Sequence, residues 1–449
     1  VCQSIYSAPA RVDFYCVRCD LLAGLPGYHV TSVKVTEVGL VMVVESAQPQ
    51  APPGCSGCGV VMTSHGRRRH ELVDAPSFGR PVVLVWNKRT WRCAEPACPA
   101  GVTTEQDELV CAPRALLSRR ATWWAARQMR RENASVAGLA RQLGCAWDTV
   151  NTAVISLLAR LDTDQHRFQG VTTLGVDEHI WHHGNPWRRG PKEFTGMVDL
   201  SRDKEGRVHA RLLDLVPGRS GPVYAAWLDA RGDVFKQTVK LAALDPFRGY
   251  KNAIDTRLDD ARAVLDAFHV VKLGYQALDQ VRCRVQQETL GHRGQRNDPL
   301  YKIRRLLVTG VERLSDHQWA RLENGLAAGD PNQIVTLAWD CARRLRGAYT
   351  EKNLNAGLRQ AIQIVRALPS CPIPEIARLG RTLKQWKPEF LAYWTTKRTS
   401  NGGTEAINNL IELHRRVARG FTNPHNYRLR MLLIGGAFNH PELNYPHRN

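Results

Sequence analysis

Three acidic residues stand where phosphoryl chemistry needs them. Asp177 closes the apolar run VTTLGV, Asp245 closes a second run, TVKLAAL, and Glu405 opens a helical stretch after the cap-rich segment Ser400 to Thr404. A carboxylate delivered at the end of a strand sits on rigid backbone at the edge where ligands of α/β sheets collect. Carboxylates that converge repel one another, and hard cations such as Mg2+ or Mn2+ are the physiological compensation. Two such ions about 3.5 to 4 Å apart lower the pKa of a water, align it with a phosphorus and stabilise the leaving oxyanion. Phosphodiester hydrolysis and transesterification follow. A single Asp at a strand end is more often a cap or turn residue, so the weight here comes from the combination with the composition and motifs of the N-terminal half.

Cysteine spacing points to a second metal. Cys55 and Cys58 form a C-x-x-C pair, and Cys93 and Cys98 a wider one. Each pair can supply one edge of a zinc tetrahedron, and a structural Zn2+ that folds a unit too small for its own core is the expected use. Cys16, Cys19, His65 and His70 are alternative ligands, and buried free cysteines acting as small hydrophobes are the bland alternative. Between Val60 and Glu132 there are 13 Lys and Arg against 7 Asp and Glu, including the consecutive Arg67, Arg68 and Arg69, which suit phosphate contacts.

The elements that must position these groups are legible in outline. Residues 28 to 46 alternate Val and Thr as a strand hairpin, and Val1 to Asp20 show no periodicity and read as a loosely packed extension. Residues 119 to 160 are helical in pattern. Within them Ser135 caps VAGLARQL, Gly144 supplies a turn, and a second helix starts at Trp147, which is the pattern of a helix-turn-helix. Its base readers would be Trp147, Asp148, Thr149, Asn151 and Thr152, with Arg130 and Arg131 on the backbone; an ordinary helical hairpin is the alternative. From 171 strands alternate with helices, an α/β layer. From 275 to 395 the pattern is all helical, with Trp319, Trp339, Trp386 and Trp394 scattered through it. On the last helix Ile407, Leu410, Ile411 and His414 make an apolar stripe, and Glu405, Asn408, Asn409 and Glu412 a polar one. Arg415, Arg416, Arg419, Arg428 and Arg430 are placed for phosphates or for acidic neighbours.

The chain of 449 residues suggests about three domains. Its 62 Lys and Arg against 42 Asp and Glu give +20, which favours a nucleic acid over an anionic membrane. No stretch approaches a spanning helix and no signal-peptide run opens the sequence, so a cytoplasmic, nucleoid-associated protein is expected.

The order and spacing of these motifs resemble one family. C-x-x-C with a distal Cys pair, the helix-turn-helix, GVDEH at 175 to 179, VLDAFHVVKL at 264 to 273 and TSNGGTEAINNLIELHRRVARGF at 399 to 421 are similar to the ISL-three bacterial insertion-sequence transposases of the DDE superfamily, over about residues 25 to 440. The resemblance implies a ribonuclease H-like core interrupted by a helical insertion, with Asp177, Asp245 and Glu405 as the triad. It favours Asp245 over Asp266, because Asp266 and His269 fall in a DxFH element one strand later, as accessory residues. Glu178, beside Asp177, is expected to support the triad from outside it. The segment CPAGVTTE after Cys98 is less basic than the family pattern, and HHGNPWRRGPKEF after Asp177 is longer.

The expected chain is therefore multidomain α/β plus α: an extension and hairpin (1–50), a zinc-binding domain (51–112), a helix-turn-helix domain (113–165), a core in two parts (166–274 and 396–449) and a helical insertion (275–395). Expected partners are double-stranded DNA, at terminal inverted repeats and at the target, and further copies of the chain in a homodimer or higher assembly. A catalytically silent DNA-binding regulator and a metal-dependent endonuclease without strand transfer are the rival functions.

Overall fold

The computed structural model describes residues 16–47, 51–181 and 191–444. Most of the expected extension, and residues 182–190 of the long segment after Asp177, lie outside these. Contacts divide the chain into two compact units, Val1–Gln165 with Ile411–Asn449, and His166–Leu410.

The N-terminal part begins with helix α1 (Val17–Ala23) and the hairpin β1 (Tyr28–Thr36) and β2 (Gly39–Ser46). The idea that the chain up to Asp20 packs loosely needs correction for residues 16–20. Asp20 accepts hydrogen bonds from the Val30 N–H and from His29, each at 2.7 Å, which pins α1 to β1. β3 (Thr63–Ser77), β4 (Arg80–Arg92) and β5 (Val102–Thr104) complete a sheet of order β1-β2-β4-β3, with β5 on β4. The basic run His65 to His70 is thus strand, its first half exposed because only the second half covers the core. Helix α2 (Arg119–Glu132) starts where Ser118 caps the Ala121 N–H, and it buries Ala121, Trp123, Ala125, Ala126 and Met129. Helix α3 (Val136–Leu143) is capped by Ser135 and ends at Gly144, whose φ of 67° is the left-handed conformation that glycine adopts freely. Two residues later α4 (Trp147–Asp162) begins, burying Val150, Val154, Leu157 and Leu158.

In the other unit β6 (Thr173–Ile180), β7 (Glu193–Asp199), β8 (Arg211–Pro217), β9 (Leu241–Leu244) and β10 (Arg262–Leu265) form a mixed sheet of order β10-β9-β6-β7-β8. β10, β9 and β6 run parallel, and β6, β7 and β8 antiparallel. Asp177 does not close its strand as expected. β6 continues to Ile180, because its pairing with β7 extends three residues past Asp177. The run TVKLAAL is also strand only over its last four residues. α5 (Gly221–Asp229), α6 (Gly232–Thr238) and α7 (Arg248–Arg257) connect the strands, and Tyr224, Trp227, Phe235, Tyr250 and Ile254 from them join the apolar core. α8 (Ala267–Leu290) leads into α9 (Pro299–Ile303), α10 (Asp316–Gly329), α11 (Ile334–Thr350), α12 (Leu354–Ala367), α13 (Pro374–Gln385) and α14 (Lys387–Thr395). Tyr349 of α11 stacks on Trp394 of α14 at 4.9 Å, and the Trp394 indole N–H donates to the Ala348 carbonyl, so the aromatic residues are the packing centre of this helical stretch.

α15 (Gly402–Val417) and α16 (Pro424–Ile434) are the last α-helices among the described residues, followed by a short 3-10 turn at Pro441–Leu443. The expected domains placed all of 396–449 with the core, whereas the contacts group Ile411–Asn449 with the N-terminal part. The physical cause is visible in the Arg428–Asp162 ion pair at 2.6 Å, the Arg127 hydrogen bond to the Glu442 carbonyl and the stacking of Trp123 on His440.

Candidate active site

Strand register builds the site. Val176, Leu244 and Leu265 are neighbours across three parallel strands. The next residue on each is an aspartate, so Asp177, Asp245 and Asp266 stand side by side at strand spacing, about 4.8 Å. The segment before α15 packs over this edge. Asn401 donates its side-chain amide to the Val176 carbonyl at 3.1 Å and its backbone N–H to Asp266 Oδ1 at 2.8 Å. Gly175 makes this fit: a Cβ there would lie 2.2 Å from Thr404 Oγ1 and 2.7 Å from Asn401 Oδ1. One turn into α15, Glu405 faces the aspartates, with Oε1 3.6 Å from His269 Nδ1. Asn408 donates to Asp177 Oδ2 at 2.8 Å.

The aspartates differ in how they are satisfied. Asp266 caps α8, accepting from the His269 N–H at 3.1 Å and from His269 Nδ1 at 3.0 Å on one oxygen, and from Asn401 on the other. Both of its oxygens are occupied by protein donors. Burial, which by itself would raise its pKa, is outweighed by the bonds from His269 and Asn401. Asp245 instead meets His269 Nδ1 at 2.9 Å with Oδ1 otherwise unpartnered, and Glu405 is only partly buried. Asp245 and Glu405 are therefore less committed to protein donors than Asp266.

Electrostatics agree with a cation-seeking pocket. Burial, then the charges of Asp245 and Glu178, push Asp177 up to about 8. Burial and Asp266 raise Glu405. Burial opposes charge on His269, yet the carboxylates of Asp245 and Asp266 lift it to about 10. The oxygen donors of the pocket match hard cations. Among the described residues the donor atoms of Asp245, Asp266 and His269 all lie within 4.8 Å of one another, and Asp177 and Glu405 are not part of that group. Glu178 points away from the cluster and pairs with Arg219 at 2.8 Å. Asn401, Asn408 and Arg219 were not singled out as site residues from the sequence. Asn408 had a signal, its place on the polar stripe beside Glu405, and Arg219 had none.

A groove of about 1100 Å3 runs along α8, lined by Phe268, Lys272, Tyr275, Arg313 and Arg346 among others. It starts next to His269, with Phe268 exposed and edge-on to the imidazole at 5.4 Å.

The cysteines meet in the N-terminal part. Cys55 Sγ lies 3.6 Å from Cys98 Sγ and Cys58 Sγ 3.5 Å from Cys93 Sγ. The edge of a tetrahedron with Zn–S of about 2.3 Å is about 3.8 Å, so the spacing fits zinc. Backbone N–H groups of Gly57 and Cys58 pull Cys55 down to about 6, whereas Cys58, Cys93 and Cys98 are raised within the same thiol cluster. The alternative ligands do not join this cluster. His65 contacts Arg92, His70 lies opposite Trp86, and Cys19 packs into the core beneath β1.

The basic candidates separate into two groups. Arg68 and Arg69 are exposed on β3, and register places Arg67 opposite Arg89 and Arg68 opposite Lys88, like-charge pairs that cost stability unless an anion is present. Arg67 also pairs with Glu45 at 2.9 Å. Trp147 (48% exposed), Asp148 and Thr152 face outward at the start of α4 and Thr149 is half-buried, whereas Asn151 accepts from Arg430 at 3.3 Å. Arg130 donates to the Phe438 carbonyl, so it is structural rather than a free phosphate contact, while Arg131 stays exposed. Arg415 and Arg416 are both held by Glu412, at 2.8 and 2.7 Å, and Arg419 is exposed.

A carboxylate cluster of this kind on a mixed α/β sheet defines a candidate site for metal-assisted phosphoryl chemistry. The ISL3 family model described as "Transposase" matches residues 174–431, and a second, described as "zinc-finger of transposase IS204/IS1001/IS1096/IS1165", matches residues 51–98. The chain belongs to the ISL3 (ISL-three) family of transposases. It is similar to the transposase for insertion sequence element IS1001 of Bordetella parapertussis, 25% identical over 305 residues, covering 67% of this chain and 70% of that one. It also aligns with the Drosophila P element transposase strand transfer complex at a TM-score of 0.42 and 12% identity, over 72% of this chain and 92% of that one. No helix among the described residues is long and apolar enough to cross a membrane.

Proposed function

We propose that this transposase binds the terminal inverted repeats of its insertion sequence, nicks DNA there by hydrolysis, and joins the freed 3′-hydroxyl to target DNA, using Asp177, Asp245 and Glu405 on a ribonuclease H-like core. The observation that carries the reading is the alignment of Asp177 and Asp245 on adjacent parallel strands with Glu405 facing them. Divalent ions held by these three carboxylates supply an activated water and stabilise the leaving oxyanion. The chain's own residues prepare the pocket. Asn408 orients Asp177 by donating to its Oδ2. Asn401 and His269 satisfy Asp266, which keeps the start of α8 and the start of α15 in register. Exposed Phe268 and half-buried Tyr275 in the α8 groove offer faces on which bases stack, and Lys272 and Arg313 offer charge to the backbone.

The α3–α4 pair supports a helix-turn-helix reading, with exposed Trp147, Asp148 and Thr152 at the start of the second helix. The cysteine cluster supports one structural Zn2+ through Cys55, Cys58, Cys93 and Cys98. Because two element ends must be paired, the active form is a homodimer or higher assembly. The test is incubation of the purified protein with duplexes carrying its own element ends and Mg2+. Nicked and strand-transferred products are expected from the native chain. Tight end binding without nicking would instead make it a regulator, and nicking without joined product an endonuclease.

A further inference from the structure

A cavity of about 390 Å3 lies where the start of α3, the first turns of α4 and the segment from Val417 into α16 meet. Three arginines line it, Arg141, Arg419 and Arg430, and no Asp or Glu does. Among the described residues none of the three has a carboxylate within ion-pair distance, although their neighbours Arg415, Arg416 and Arg428 are all so paired. Arg430 is the telling member. It is 3% exposed, its Nε has no hydrogen-bond partner, and its guanidinium donates to the Asn151 side-chain oxygen at 3.3 Å and lies over the Phe421 ring at 5.8 Å. A buried guanidinium without a counter-charge is costly, and such a group is ordinarily completed by an anion. Two helix N-termini, α3 at Ser135 to Ala137 and α16 at Asn423 to Asn426, also border the cavity, and their dipoles favour negative charge.

We propose that this cavity seats a phosphate group of the DNA backbone, a phosphodiester oxyanion held by Arg430 from below and by Arg141 and Arg419 at the rim. The assignment rests on the DNA-binding reading above and deepens it. In place of a base-reading role for Asn151, it makes Asn151 a residue that orients Arg430. Burial alone lowers Arg430 to about 10, which is consistent with a cation that lacks its counter-ion.

Inorganic phosphate is the first probe and duplex DNA the second, both on the full chain. Phosphate, compared with chloride at equal ionic strength, is expected to raise the thermal midpoint of the native protein but not that of Arg430→Gln. Because replacing a buried arginine can also impair folding, Arg419→Gln at the exposed rim is the second variant, with the phosphate effect reduced and the starting midpoint retained. For duplex binding, the slope of log K against log salt is expected to become less negative by about 0.9 in each variant, equally on end-containing and unrelated duplexes. No phosphate effect on the native chain together with unchanged slopes overturns the site. A phosphate effect with unchanged slopes overturns its assignment to DNA and leaves a site for a free anion. A native chain that binds no duplex marks the failure of the transposase-end reading instead, since the phosphate arm does not depend on it.

Discussion

Two aspartates one strand apart play different parts because their hydrogen bonds differ. Asp266 has every oxygen committed to Asn401 and His269, so its loss removes a helix cap and orphans a buried N–H. Asp266→Ala is expected to destabilise by about 2 to 4 kcal/mol in chemical denaturation. Asp177→Asn, Asp245→Asn and Glu405→Gln are expected to keep stability while reducing end cleavage at least about a thousandfold, the several kcal/mol that ion-assisted charge stabilisation supplies. A drop in stability of equal size in both sets would erase the distinction. His414 gives a pH signature. It is fully buried, both ring nitrogens lack partners, and burial followed by the charge of Arg430 lowers its pKa to about 4. Between about pH 6.5 and 4 the unfolded chain binds a proton that the folded chain refuses, so stability falls as pH falls through that window, by about 3 kcal/mol in all. Denaturant titrations at pH 7 and pH 5 should show the loss in the native protein and a smaller one in His414→Leu. At this scale the sequence made the cysteine quartet and the acidic residues visible, because residue type and spacing carry that chemistry directly. It hid Asn401 and Arg219, whose roles depend on contacts made far along the chain.

Between elements, the decisive fit is of the start of α15 onto β6. Gly175 permits it by leaving no Cβ where Thr404, Asn401 and Leu200 approach. Gly175→Ala is expected to cost about 1 to 3 kcal/mol through overpacking and to lower cleavage more than stability alone explains, since it shifts the element that carries Glu405. Activity measured at a temperature where the variant is fully folded separates the two. The strands here were legible as apolar runs, and their ends were not. β6 passes Asp177 because antiparallel pairing with β7 extends it, and no local signal in GVDEHI announces that partner. The strand conformation of the basic run in β3 likewise depends on its pairing with β4. The α15 stripes were readable because a period of 3.6 needs no partner to be seen: of the expected apolar stripe Ile407, Ile411 and His414 are buried and Leu410 is half-buried.

Across the whole molecule, the proposed account gives its two metals separate tasks, zinc to hold a fold and a divalent ion at the carboxylates to do chemistry. Removal of zinc by a thiol-competing chelator, or Cys93→Ser, is expected to take zinc content from one per chain to none and to lower the thermal midpoint, while Mg2+ depletion leaves that transition in place. Loss of that transition on Mg2+ depletion alone would contradict this division. Chain organisation was the least legible level. The grouping of Ile411–Asn449 with the N-terminal part depends on Arg428 finding Asp162 and on Arg127 finding Glu442, pairings more than 260 residues apart that no window of sequence displays. The central claim is that Asp177, Asp245 and Glu405 together hold divalent ions. Titration of Mn2+ into the zinc-loaded protein, followed by calorimetry or electron paramagnetic resonance, tests it most directly. The native chain should bind Mn2+, and Asp177→Asn, Asp245→Asn and Glu405→Gln should each weaken binding at least tenfold, about 1.4 kcal/mol. Unchanged binding in all three variants, with the chain folded, would contradict the account.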